Sequence, residues 1–224
     1  HILVQNQDDH IFFKKKIWIR KKNLHLNTTS GINLKKYTAS KEPKGKIIFL
    51  FASRILKDKG IMELIQASKK LSKITKNFEL YIAGNIDRQN PSSVSHEEIK
   101  SWEALDYLKY IGHVNNMNDL YKKIHVSILP SYREGLPKGL LEAAACGKPI
   151  ITTDVTGCRD VVINGKNGIL INPKNSDELF LAMKKMVRNK KIRLAMGKEG
   201  RNFIKKNFLL ENTVKKLIHL YNNC

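Results

Sequence analysis

Two glutamates eight positions apart, Glu134 and Glu142 in Ser131-Tyr-Arg-Glu-Gly-Leu-Pro-Lys-Gly-Leu-Leu-Glu-Ala, are the side chains of this sequence best suited to hold a polyhydroxylated ligand. An ionised carboxylate only accepts hydrogen bonds, so two of them flanking one spot can take up the hydroxyls of a sugar. Their neighbours place them. The apolar run His125–Pro130 reads as a buried strand,, and Leu140–Ala145 is strongly helix-forming,. Pro137 suits the first helical position, where its fixed φ fits and its missing N–H costs nothing. Glu134 then lies on a strand-to-helix loop, and Glu142 about a turn and a half into the helix. Such a helix start turns backbone N–H groups and a positive dipole end toward an anion. The ligand these groups suggest is a sugar phosphate.

The elements around this loop follow a regular order. From residue 46 short apolar runs alternate with amphipathic stretches, the pattern of an α/β protein with a doubly wound parallel sheet. Strands are expected near 46–52, 78–83, 108–111, 125–129, 149–152 and 168–171. Helices are expected near 60–74, 97–104, 117–123, 138–146, 159–163, 176–188, 190–206 and 211–222, with Ser176 capping the helix that opens on Asp177 and Glu178,. Arg54 and Lys59 flank the first strand-to-helix turn, where phosphates bind in open α/β sheets; exposed basic residues are also ordinary on such loops. Residues 1–40 stand outside the alternation, and the polar stretch Thr38–Gly45 reads as a linker. Phe208, Val214, Leu217, Ile218 and Tyr221 make an apolar face on the last helix,.

The 224 residues are 42% hydrophobic, enough for a core, and hold no apolar run long enough to span a membrane,. The sequence starts at His1, inside what reads as a strand and without a signal peptide, and is expected to be part of a longer protein,. Cys146, Cys158 and Cys224 lack metal-ligand spacing,, which suits a reduced compartment, with Cys146 a small buried helix residue. The net charge of +21 comes mostly from lysine. A coding bias toward Lys, Ile and Asn is a sufficient reading; the functional one is attraction to an anionic membrane surface or a lipid diphosphate. Nucleic-acid binding is the weakest option, because the lysine pairs are scattered and no aromatic-interleaved or zinc-finger pattern accompanies them.

These segments together resemble the C-terminal half of the retaining glycosyltransferases of the GT-B fold, family 4 (glycosyl transferases group 1), of the bacterial surface-polysaccharide type. Glu134 and Glu142 match the family's paired-glutamate motif. Phe51-Ala-Ser-Arg-Ile-Leu-Lys-Asp-Lys-Gly60 is similar to its Gly-Arg-Leu…Lys-Gly loop, with Ser53 where many relatives carry Gly. Tyr81-Ile-Ala-Gly84 resembles its strand ending in Gly, and Tyr110-Ile-Gly-His-Val114 its base-side loop. Thr152–Asp160 resembles its Gly-containing turn, with Asp160 where a longer Glu is common, and Asn164–Ile171 the hairpin-like segment that follows. The matches fall in order over residues 46–172.

The resemblance implies a division of the chain and a set of roles. Residues 1–40, whose Ile2–Val4 and Leu24–Leu26 would have lost their strand neighbours, become the end of an N-terminal acceptor domain and its linker, with Thr29–Leu34 at the exit. Residues 41–206 become the donor-binding domain, and 207–224 a final helix that crosses back to the acceptor domain or packs on its own. Arg54 and Lys59 would grip the donor diphosphate and stabilise it as it leaves. Glu142 would accept from the ribose hydroxyls. Glu134 would face the transferred sugar, orienting hydroxyls or supporting an oxocarbenium-like transition state. Gly135 would free the loop, the amides of Leu136, Lys138 and Gly139 would meet phosphate, and His113 and Val114 would line the base pocket. Tyr132 and Arg133 could reach the site or serve structure.

The sequence holds no Asp-x-Asp clamp, so neither metal nor cofactor is expected. The implied donor is a nucleotide sugar, most simply a UDP-linked hexose or N-acetylhexosamine. The implied acceptor is a glycan or polyprenyl-diphosphate-linked glycan in polysaccharide or lipopolysaccharide assembly, at or near the cytoplasmic face of the membrane. The stretch Ser131–Ala145 and the residues Ile86-Asp87…Asn90-Pro91 resemble enzymes that add hexose or N-acetylhexosamine to undecaprenyl-diphosphate glycans. The active site of this fold lies between two domains, so these residues alone are expected to bind donor without transferring sugar. Two other readings stay open: another GT-B-like enzyme such as a nucleotide-sugar epimerase, and a basic nucleotide- or nucleic-acid-binding module without catalysis.

Overall fold

The computed structural model describes residues 1–16, 20–26, 30–87 and 89–222. Thr29 and Cys224, both named above, lie outside them. The first elements are strand β1 (Ile2–Val4), helix α1 (Gln7–Lys14) and strand β2 (Leu24–Leu26). Asn6 caps α1, its side chain accepting from the Asp9 amide,. The two strands pair parallel, Ile2 opposite Leu24 and Val4 opposite Leu26, and Val4 and Leu24 share a small buried cluster. Each therefore has the other as partner on one edge of a two-stranded sheet.

Strand and helix then alternate as the apolar pattern requires: β3 (Ile47–Ala52), α2 (Ile61–Ser72), β4 (Phe78–Ala83), α3 (His96–Glu103), β5 (Leu108–Gly112), α4 (Met117–Lys123), β6 (Val126–Leu129), α5 (Lys138–Ala145), β7 (Ile150–Thr153), α6 (Cys158–Val161) and β8 (Gly168–Ile171). Helices α7 (Ser176–Arg188), α8 (Lys190–Asn207) and α9 (Leu210–Asn222) follow. The sheet runs β5-β4-β3-β6-β7-β8, every pair parallel. Phe49, Leu50, Phe51, Leu80, Ile82, Ile128, Ile150 and Ile151 are fully buried. Such continuous apolar runs belong to strands covered on both faces, and α2 against α7 and α5 against α8 build the covering layers.

The order has a functional consequence. The chain adds β4 and β5 outward from β3, then returns to lay β6, β7 and β8 on the other side. The connections that follow β3 and β6 therefore lead toward opposite edges of the sheet, and a crevice opens at the carboxyl ends of the strands. Arg54 and Lys59 follow β3; Glu134 and Glu142 follow β6.

Three local expectations change. Asn175, not Ser176, caps α7, its amide oxygen accepting from the backbone of both Asp177 and Glu178,. Pro137, with ψ 97°, is the cap of α5 rather than its first residue; its carbonyl accepts from the Leu140 and Leu141 amides. The segment from Asn164 is a tight turn closed by Gly165 N–H to the Gly168 carbonyl. The bridge between its arms, Asn164 to Gly168, is parallel, not the antiparallel pairing of a hairpin. At the end of the chain, Ile32 exchanges backbone hydrogen bonds with Phe208 and Leu210 at 2.7 and 3.2 Å, and Phe208 is buried. Farther along α9, Val214, Ile218 and Tyr221 are exposed. Among the described residues no helix is long and apolar enough to cross a membrane.

At the amino end of the sheet His125 is buried. Its Nδ1 accepts from the Ile48 amide at 3.0 Å, so the ring is neutral with its proton on Nε2, 3.2 Å from the Pro43 carbonyl,. Burial holds its pKa below the usual value, with Arg193 and Lys148 adding to the effect and Glu42 opposing it. The unfolded chain therefore takes up this proton first, and stability is expected to fall as pH drops below about 6.5. Melting temperatures between pH 7 and 5.5 check this. His125→Asn keeps an acceptor for Ile48, so its slope over that range should be flatter than the wild type's; an identical slope contradicts the assignment.

Candidate functional site

At the switch point the ends of β3, β4 and β5, together with α4 and the first turns of α5, enclose a cavity of about 370 Å³. Arg54, His113, Val114, Gly139 and Glu142 all line it. Tyr110 donates to the Gly84 carbonyl at 3.0 Å, and Gly84 donates to that of Gly112 at 2.8 Å. These bonds hold the 110–114 loop against the end of β4.

The two cations differ in their surroundings. Arg54 Nη1 lies 3.2 Å from Asp87 Oδ2, with 60% of the arginine side chain exposed. Exposed pairs contribute little, so this guanidinium is available to another anion. Lys59 Nζ lies 2.7 Å from Glu134 Oε1, and each side chain is only 14% exposed. Poorly solvated charges at that distance attract strongly. Lys59 and Glu134, assigned separately to phosphate and sugar, are thus partners of each other.

Glu142 is buried. Its Oε1 accepts from the Tyr37 hydroxyl at 2.6 Å and lies 3.9 Å from Lys138 Nζ. Burial first, then the hydrogen bond and charge of Glu142, push the Tyr37 pKa well above its usual value, so Tyr37 remains a donor. Tyr121, also in the cavity wall, donates to the Gly139 carbonyl at 2.9 Å. Helical bonding in α5 begins with the amides of Leu140 and Leu141, so those of Lys138 and Gly139 precede it at the anion-facing end.

Loop 131–136 is held from three sides. Tyr132 donates to Glu63 Oε1 at 2.8 Å, which ties the loop to α2 and gives Tyr132 a structural place. Asn6 Nδ2 donates to the Gly135 carbonyl at 3.1 Å. Gly157, at φ +77°, brings the next turn so close that a Cβ there would sit 2.5 Å from the same carbonyl. Gly135 itself is not in the left-handed region. An added Cβ there would meet only the tip of the Gln5 side chain, at 3.3 Å, so neither backbone conformation nor space requires glycine at this position. Leu136 is buried in the core. Arg133 is 81% exposed, 3.8 Å from Asp9. Asp160 is shifted to a higher pKa by burial and by Asp8.

Tyr37, Tyr121 and Asn6 are the site residues the sequence reading did not find. Tyr37 carried one signal: it is the only large apolar side chain between Leu34 and Ile47. Among the described residues no three His, Cys, Asp or Glu side chains come together as a metal-ligand set.

A doubly wound parallel sheet with cations after one strand, a helix start across the switch point and a buried acid behind it is an α/β arrangement suited to a phosphate-bearing ligand. Residues 35–203 match the family of glycosyl transferases group 1, and the chain belongs to that family. The capsular polysaccharide biosynthesis glycosyltransferase CapM of Staphylococcus aureus is 29% identical over 172 residues, 77% of this chain and 45% of that protein. The N,N'-diacetylbacillosaminyl-diphospho-undecaprenol alpha-1,3-N-acetylgalactosaminyltransferase of Campylobacter jejuni is 30% identical over 201 residues, 84% of this chain and 51% of its own. The chain spans about half the length of these curated relatives. Anabaena HepE, solved in complex with UDP and glucose, superposes on 99% of this chain and 62% of its own with a TM-score of 0.84 at 16% identity. The fold is that of GT-B glycosyltransferase structures.

Proposed function

We propose that these residues form the donor-binding half of a retaining, family-4 glycosyltransferase that moves a hexose or N-acetylhexosamine from a UDP-sugar to a glycan or polyprenyl-diphosphate-linked acceptor. The observation that carries this reading is the gathering of Arg54, His113, Val114, Gly139 and Glu142 around one cavity; the Lys59–Glu134 pair is outside its lining, on the connections that follow β3 and β6. In this reading the base lies against His113 and Val114, and the ribose hydroxyls meet Glu142. The diphosphate meets Arg54 and the free amides of α5. As it binds, it competes with Glu134 for Lys59, and Glu134 is released toward the hydroxyls of the sugar. When the glycosidic bond breaks, negative charge grows on the diphosphate, where two fixed cations help most; no metal or cofactor is assigned a part.

The names of the relatives support the setting. CapM is named for capsular polysaccharide, the Campylobacter enzyme for an undecaprenol-linked acceptor, and HepE was solved with UDP. By this account residues 1–40 belong to the end of the acceptor side and its linker, 41–206 to the donor domain, and 207–224 to the closing helix. The work would be done at the cytoplasmic face of the membrane, where the +21 charge favours anionic lipid. The test is competition against bound UDP: UDP-glucose and UDP-N-acetylglucosamine are expected to displace it and to be recovered unchanged without acceptor. Conversion of UDP-N-acetylglucosamine to an epimer, or failure of both sugars to compete, contradicts the proposal.

A further inference from the structure

We propose that the Tyr37 hydroxyl is a positioning group for Glu142, holding one carboxylate oxygen so that the other is presented to the ribose diol. The inference rests on the reading of Glu142 as the ribose ligand and adds a residue to it from outside the donor domain as the sequence delimits it.

Among the described residues, the Tyr37 hydroxyl at 2.6 Å and the Lys138 ammonium at 3.9 Å both approach the same atom of the carboxylate, Oε1. Glu142 also lines the cavity, so a ligand there meets a carboxylate whose other oxygen is still to be used. The terminal torsion of a glutamate is broad and takes no preferred value unaided. A short hydrogen bond from a fixed donor sets it.

Tyr37 is such a donor. Its ring lies edge-on to Tyr121, centroids 6.5 Å apart, and the Lys36 ammonium stands 5.5 Å over its face. Its backbone is tied at both ends, the amide to the Asn33 carbonyl at 3.0 Å and the carbonyl to Arg201 Nη1 at 3.0 Å. Burial keeps the phenol protonated. A carboxylate oriented before the ligand arrives loses less freedom on binding, which is the gain that preorganisation brings.

Calorimetric titrations of the chain and of Tyr37→Phe with UDP, 2′-deoxy-UDP and 3′-deoxy-UDP test this. Phe keeps the ring and its contact with Tyr121, and a thermal melt confirms the fold. The wild type is expected to prefer UDP by about tenfold over the weaker deoxy form, and Tyr37→Phe by threefold or less, on the order of one hydrogen bond to a charged group. The deoxy form itself should bind both proteins about equally. Equal weakening of all three nucleotides, with the preference intact, marks a merely structural tyrosine and overturns the proposal. A wild type that binds UDP without preferring it overturns the ribose reading of Glu142 as well. In a Glu142→Ala background, which leaves no carboxylate to position, Tyr37→Phe should cost no further UDP affinity; a further loss shows that Tyr37 acts by another route and also overturns the proposal.

Discussion

Glu142→Ala is expected to weaken UDP binding by more than tenfold. The carboxylate sits in the cavity wall with one oxygen held by Tyr37, and a hydrogen bond to a charged group contributes about 1.5–3 kcal/mol, where about 1.4 kcal/mol is a tenfold change in affinity. Alanine removes both the ribose acceptor and the partner of a buried phenol. The second loss costs stability, about 1–3 kcal/mol for an unsatisfied buried donor, so affinity should be read by calorimetry well below the melting temperature. Glu142→Gln separates the two effects, because it retains a carbonyl oxygen for Tyr37 while losing the charge. Unchanged UDP affinity in the alanine variant would remove the ribose role.

The largest expected effect on stability comes from Gly60→Ala. Gly60 stands at φ +72° and ψ 24° where the Lys57–Lys59 turn enters α2. An added Cβ would lie 2.0 Å from the Pro130 carbonyl oxygen, a backbone atom at the end of β6 that no side-chain rotation can move. The left-handed conformation alone costs alanine about 1–2 kcal/mol, and relief of the overlap must part the β3 and β6 loops. Those loops are joined by the Tyr132 amide to the Asp58 carbonyl at 2.9 Å, and the same turn carries Lys59 to Glu134. A loss of about 3 kcal/mol or more is expected, lowering the melting temperature on the order of 10 °C for a chain of this size. Weaker UDP binding should accompany it, because Lys59 moves with the turn. A variant that melts within about 3 °C of the wild type would mean that the two loops do not meet backbone to backbone.

The sheet was legible because parallel strands buried on both faces must be written as uninterrupted apolar runs, and Ile47–Ala52 and Val126–Leu129 are such runs. The boundaries of α2 to α9 were legible to within a residue or two, while α1 (Gln7–Lys14) was not expected. Where two good capping residues stand side by side, as Asn175 and Ser176 do, composition cannot say which side chain reaches the amides; the observed bonds belong to Asn175. The parallel pairing of β1 with β2 left no pattern to read, since three-residue strands carry too little periodicity to identify a partner.

The site was legible as a set of residues but not as a set of pairs. Glu134, Glu142, Arg54 and Lys59 could be picked out because each follows a strand at the expected offset. That Lys59 is held by Glu134, and Glu142 by Tyr37 105 positions earlier, depends on how loops from distant elements converge. Gly157 shows the same limit: its type was noticed in the turn, but its reason, the Gly135 carbonyl 2.5 Å from an added Cβ, lies in another loop.

The most direct test of the central claim, that this switch-point cavity is a donor nucleotide site, is calorimetric titration of the chain with UDP and, for comparison, GDP. The account predicts that UDP binds, at least tenfold more tightly than GDP, and that Arg54→Ala and Glu142→Ala each lose most of that affinity. Binding of neither nucleotide, or UDP affinity indifferent to both substitutions, would contradict it.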